Sequence, residues 1–270
     1  MSKYVLVPDS FKGTMTSREI CEIMQHAIKR IDSDAKIISV PVADGGEGSV
    51  DAFLSALGGK RKAITVTGPH FEKLSSSYGI TADGTAVIEM SACAGLPLVY
   101  GNKNPEITTT YGVGELICNA ARSGAKRIVI GLGGSATNDG GCGAAAAAGI
   151  KFYDKSGKSF VPVGRTLKDI ASIDYSGLDS ALSGVSISAM CDVDNPLLGE
   201  TGAANVFGPQ KGANAAMIAR LDAGLRHLAE VSGKAKLASM PSAGAAGGMG
   251  FGMMAFFNCP LQMGIDGLLD

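Results

Sequence analysis

The sequence predicts an α/β protein with parallel strands. Short apolar strand segments alternate with segments of helical period, and polar glycine loops join strand to helix. The balance of 46% hydrophobic and 18% charged residues marks a globular chain, and 270 residues suit one large or two medium domains.

Lys3 to Val7 reads as the first strand and Pro8 to Gly13 as a loop. A helix follows over about Thr16 to Ile31, opened by the capping box Thr16-x-x-Glu19 and striped by Ile20, Ile23, Met24, Ala27, Ile28 and Ile31. The same grammar repeats in a strand from Lys36 to Val42, the loop Ala43 to Gly48, and a helix from Ser49 to Leu57. Between Lys62 and Met90 the pattern becomes an antiparallel hairpin with an Ala82-Asp83-Gly84 turn. A helix is then expected near Glu106 to Arg122, a strand at Arg127 to Leu132, and a close-packed helix of small residues at Gly143 to Gly149. The strand Val185 to Cys191 and a long amphipathic helix near Ala213 to Val231 complete the series.

A net charge of −1 and a pI near 6.3 provide no positive field for nucleic acid or an anionic membrane surface. Asp9 and Lys12 directly follow the first apolar stretch, so the amino terminus does not read as a signal peptide. The uncharged stretch from Ser242 to Pro260 is too rich in glycine for a spanning helix, and reads as buried core or a ligand-lining loop. Six scattered cysteines without a Cys-x-x-Cys pair read as buried free thiols, and three histidines show no ligand spacing. A reducing, cytoplasmic compartment follows from that usage.

Glycine numbers 38, about twice its usual share. Three strand-to-helix loops combine it with acids: Asp9 to Gly13, Asp44 to Gly48, and Gly131 to Gly141. In parallel sheets ligands bind beyond the carboxyl ends of strands, where such loops lie. Glycine lets backbone N–H groups approach a phosphate, and a helix amino terminus favours the anion. Carboxylates beside that anion imply a cation, and Mg²⁺ suits a few carboxylates plus phosphate oxygens. Taken singly, Asp9 and Asp44 also read as turn or cap residues, Lys12 as solvated, and Ser135 and Asn138 as satisfying loop backbone.

Gly131-x-Gly133-x-x-Ala136 superficially fits a dinucleotide fingerprint, which keeps a nicotinamide-dependent oxidoreductase as an alternative. Its turn is more polar than that motif needs, and Asp154 ends no clear second strand. A Walker loop is absent, because Phe152 stands where the first glycine of Gly157-Lys158-Ser159 would belong. Asp192-Val-Asp194-Asn starts like a calcium loop, but Pro196 and Leu197 replace the flexible turn. Those two acids either cap a turn, bind Mg²⁺, or act as a base toward a hydroxyl.

Seven stretches appear in order: Asp9-Ser-Phe-Lys-Gly, Ala43-Asp-Gly-Gly-Glu-Gly, Thr109 to Glu115, Gly131 to Gly141, Cys191-Asp-Val-Asp-Asn-Pro, Phe207-Gly-Pro-Gln-Lys-Gly212 and Gly244-Ala-Ala-Gly-Gly248. Together they resemble the signature blocks of the bacterial type I glycerate kinases. The resemblance implies ATP-dependent phosphorylation of D-glycerate, giving 2-phosphoglycerate, with Mg²⁺. It implies two α/β domains, a flavodoxin-like one inserted into a discontinuous outer one, with the site in the cleft. On that pattern residues 1–66 begin the outer domain, 67–262 form the inserted domain, and 263–270 start the return. Members of that family run on with a further Thr-Gly-Glu-Gly block and a later Gly-Lys. The resemblance therefore implies that this chain lacks the C-terminal portion, that its outer domain is incomplete, and that a second chain could complement it. A homo-oligomer and a non-catalytic fragment that only binds nucleotide or glycerate stay open as alternatives.

Each candidate residue is given an expected role in such a transfer. Asp192 accepts the hydroxyl proton, and Lys12 neutralises the transferring phosphate or grips the glycerate carboxylate. Asp44, Glu47 and Asp194 hold Mg²⁺ or its water shell. Asp9, Ser10, Gly133, Gly134, Ser135, Asn138, Asp139 and Lys211 bind substrate or phosphate.

Overall fold

A computed structural model describes residues 2–11, 14–42 and 45–263, with the backbone alone for 262 and 263. The α/β class expected from the sequence is what forms, in three sheets. The first two strands, β1 (Lys3–Leu6) and β2 (Lys36–Ser39), pair in parallel around α1 (Ser17–Ile31). Thr16 caps α1 through the full capping box, its hydroxyl accepting from the Glu19 N–H while the Glu19 carboxylate accepts from the Thr16 N–H. β2 ends before Pro41, three residues short of the expected Val42. α2 (Ser49–Leu57) has the bounds that its spacing predicts.

The large sheet has six strands in the order β11 (Leu261–Met263), β10 (Ser186–Cys191), β6 (Arg127–Gly131), β5 (Ala86–Glu89), β4 (Lys73–Thr81), β3 (Gly59–Thr67). The four strands from β11 to β5 run parallel, and β4 and β3 are antiparallel. The expected hairpin is therefore two reversals, the second turning at Asp83-Gly84, where Asp83 accepts from the Thr85 N–H. β3 pairs with β4 over its whole length, so residue 66 falls inside a strand of this sheet.

Helices cover the faces of that sheet. α3 (Ser91–Ala94) and α4 (Tyr111–Arg122) follow β5, and α5 (Cys142–Ala147) follows β6. α4 starts five residues later than the spacing predicts, because Thr108, Thr109 and Thr110 are fully buried and use their hydroxyls on neighbouring loops and turns. A small antiparallel sheet of β7 (Lys151–Tyr153), β8 (Ser159–Phe160) and β9 (Ser172–Asp174) had no clear sequence signal. After β10 come α6 (Ala203–Phe207), α7 (Ala215–Val231) and α8 (Ala245–Phe257). The core between sheet and helices centres on Ile88, Leu116, Ile117, Ile128 and Ile130, with a second cluster around Phe152, Leu225, Leu228 and Phe251. All six cysteines are free and buried. Among the described residues no helix is long and apolar enough to cross a membrane.

Candidate active site

The carboxyl ends of β5, β6 and β10 form one rim, because Glu89 stands beside Gly131, and Gly131 beside Met190, in register. The loop before α2 lies across this rim. Gly133 N–H donates to the Gly45 carbonyl at 3.1 Å, and a Cβ on Gly131 would overlap that same carbonyl oxygen. A Cβ on Gly133 would stand 2.5 Å from the Gly46 Cα. Two of the three acidic glycine loops singled out in the sequence are thus packed backbone to backbone, which only glycine permits.

Beside this contact opens a cavity of about 330 Å³ lined by Gly133, Gly134, Ser135, Asp192 and Lys211, among others. Lys211 follows Pro209 in a single 3₁₀ turn, closed by Gly212 in the left-handed region. Its side chain is 2% exposed, and its ammonium donates to Ser135 Oγ at 2.8 Å and to the Thr137 carbonyl at 2.7 Å. Burial holds the Lys211 pKa down to about 7, against a smaller opposing pull from Asp139. The lining also includes Ala245 and Ala246. Ala246, Gly247 and Gly248 are all left-handed, since Gly247 must pass against the Thr137 carbonyl and Asn138 Cα.

Asp139 lies behind the cavity. It is fully buried, and it accepts from the Thr110 N–H and hydroxyl and from the Gly141 and Gly143 N–H groups. Burial raises its pKa and those hydrogen bonds oppose the rise. This carboxylate ties the start of α4 to the start of α5, and its accepting positions are taken up within the chain. Asn138 is also buried, with neither amide atom hydrogen bonded, and it does not line the cavity.

A neighbouring cavity of about 350 Å³ collects Ser10, Thr14, Glu47, Gly48 and Pro97. Consecutive residues line the two cavities, Leu96 the first and Pro97 the second. Asp9 is exposed and accepts from the Ser10 N–H at 2.7 Å. Asp194 is exposed and lines neither cavity. Lys12 and Asp44 lie outside the described residues.

One functional candidate escaped the sequence reading. Glu89 is 8% exposed and accepts from the Val50 N–H at 2.7 Å, at the amino end of α2. Burial raises its pKa, and the Val50 and Gly48 N–H groups oppose that rise. An acid that closes the apolar run Ala86 to Ile88, at the carboxyl end of a strand, was the available signal.

Among the described residues no three His, Cys, Asp or Glu side chains gather closely enough to hold a metal by themselves. Mg²⁺ bound with a nucleotide needs only one or two carboxylates, the phosphates and water supplying the rest. Glu47, which lines the second cavity, fits that smaller requirement, whereas Asp194 lines neither cavity.

The Glycerate kinase family profile matches residues 4–270. Glycerate 2-kinase of Escherichia coli K12 is 48% identical over 269 residues, which are 98% of this chain and 71% of that protein. Glycerate kinase of Bacillus subtilis 168 is 46% identical over 273 residues, 99% of this chain and 72% of the relative. A crystal structure of a candidate glycerate kinase 2 from Salmonella typhimurium LT2 superposes with a TM-score of 0.87 at 41% identity, covering 98% of this chain and 72% of that one. The chain belongs to the glycerate kinase family.

Proposed function

We propose that this chain transfers the γ-phosphoryl group of ATP to the 2-hydroxyl of D-glycerate, with Mg²⁺, yielding 2-phosphoglycerate. Family membership and the similarity to the glycerate 2-kinase of E. coli support the reading. The observation that carries it is the Lys211 ammonium, buried behind a glycine-lined cavity at the carboxyl ends of parallel strands. Burying an ammonium without a directly bonded carboxylate is costly, and an incoming anion offsets that cost.

Phosphoryl transfer asks mainly for positioning and charge neutralisation. In this reading the Gly133 and Gly134 backbone and Ser135 approach the phosphates, and Lys211 neutralises them. Asp192 accepts the proton of the glycerate hydroxyl. Ser10 and Glu47 face the acceptor from the adjoining cavity, with Lys12 and Asp44 beside them in sequence. When bound, Mg²⁺ screens charge on the phosphate oxygens, and Glu47, Asp44 and Asp194 are the carboxylates assigned to it. The division into an outer unit, an inserted unit and a return at 263–270 belongs to the same proposal, as does a cytoplasmic setting; the expected boundary at 66 moves to before β3, which pairs along its length in the large sheet.

The test is ADP release from Mg-ATP in the presence of D-glycerate, coupled to NADH oxidation, with the product identified by phosphorus NMR. Glycerate-dependent ADP release with the 2-phosphate as product is expected. ATP binding without product, or the 3-phosphate alone, overturns the reading.

A further inference from the structure

The α2 helix lacks an amino-terminal cap of its own. Its N-cap position is Gly48, at φ 95°, which has no side chain to offer the first turn. The amides of that turn are met instead from a different element. Glu89, the last residue of β5, accepts the Val50 N–H, and the Gly48 N–H also faces its carboxylate. An anion at a helix amino terminus is favoured by the unpaired N–H groups and the helix dipole, more so when shielded from water. Arg61 on β3 and Asp51 on α2 are the charged groups acting on it, with opposite signs.

This contact has a geometric consequence. The residues just before α2 are the loop Gly45 to Gly48, whose first members lie on Gly131 and Gly133 and whose last members line the cavity with Ser10. The Gly133 to Gly45 hydrogen bond holds one end of the loop, and the other end runs directly into α2. We propose that Glu89 is a positioning residue for phosphoryl transfer, capping α2 from the sheet and so holding the Gly45 to Gly48 loop, with Glu47, over the strand ends. The kinetic part of this inference rests on the kinase reading; the structural part does not.

The test compares Glu89→Ala and Glu89→Gln with the parent chain, using amide hydrogen exchange together with kcat and KM. In Glu89→Ala the amides of 48–50 lose protection while those of β6 keep theirs. Turnover then falls on the order of 100-fold, as expected when reacting groups are misplaced by about 1 Å. KM for ATP stays unchanged, because the Lys211 contacts to Ser135 and Thr137 do not involve the loop. Glu89→Gln keeps a carbonyl oxygen for the Val50 N–H and recovers most of both losses. Parent-like exchange at 48–50 in Glu89→Ala overturns the inference. So does an equal loss of protection in β6, which marks general destabilisation, or loss of loop protection with unchanged turnover. A parent chain that releases no ADP overturns the kinase reading alone, and the exchange comparison still decides whether Glu89 holds the loop.

Discussion

Lys211 donates its ammonium proton to Ser135 Oγ at 2.8 Å, joining two loops separated by 76 residues. Among the described residues no carboxylate hydrogen bonds to that ammonium, which donates to a hydroxyl and to the Thr137 carbonyl. The arrangement keeps a positive charge beside the cavity without cancelling it locally, which suits a visiting polyanion.

The Lys211 charge leaves a signature in stability. Its folded pKa, about 7, lies below the ordinary value of 10.5, so between those limits the unfolded chain binds the extra proton. Stability of the ligand-free chain therefore rises with pH across that window. Lys211→Met removes this slope, read from urea midpoints at a series of pH values, and abolishes turnover. A slope that survives the substitution excludes Lys211 as its source.

The glycine contact between loops is testable without disturbing backbone strain. Gly133 has an ordinary negative φ, yet its Cβ would press on Gly46 Cα. Gly133→Ala displaces the Gly45 to Gly48 loop and lowers kcat by about 100-fold. Gly84→Ala is the control: φ is +85° with open space around it, so about 1 kcal/mol of stability is lost and kinetics stay intact.

Two acids near the site should respond in opposite ways. Asp139→Asn puts an amide NH₂ among donors that now point at a carboxylate, and costs about 3 kcal/mol of unfolding free energy. Asp192→Asn leaves the thermal midpoint within about 2 °C of the parent. Its turnover falls by orders of magnitude if Asp192 takes the hydroxyl proton. Near-normal turnover in that variant removes the assignment.

Chelation separates Mg²⁺ from the protein groups. EDTA should stop ADP release, with Mg²⁺ restoring it. Glu47→Gln should raise the Mg²⁺ concentration for half-maximal rate by about tenfold, as loss of one carboxylate interaction. An unchanged requirement would take Glu47 out of the metal assignment.

Much of this was legible in the residues because local chemistry decided it. Thr16 and Glu19 mark where α1 begins, and alternating strand and glycine loop mark the parallel sheet. The glycine loops identified Gly133, Gly134 and Ser135, which line one cavity, together with Asp192 and Lys211. Asp139 and Asn138 sit in the same loop but face inward, a distinction set by Thr110 and Gly247 from distant parts of the chain. The small sheet of β7, β8 and β9 escaped notice because its strands are two or three residues long, too short for a period to show. Glu89 escaped for a related reason: its partner Val50 is 39 residues away, and neither residue belongs to a recognisable loop motif.

Those separations bear on how the molecule is made. Contacts in and behind the site join residues 29, 39 and 76 positions apart, so each closes a long loop before gaining its reward. The nucleotide cradle, which such contacts close, is expected to assemble late in refolding. ATP present during refolding should then leave the folding rate unchanged and slow only unfolding, so that ligand protects the finished molecule and does nothing to build it.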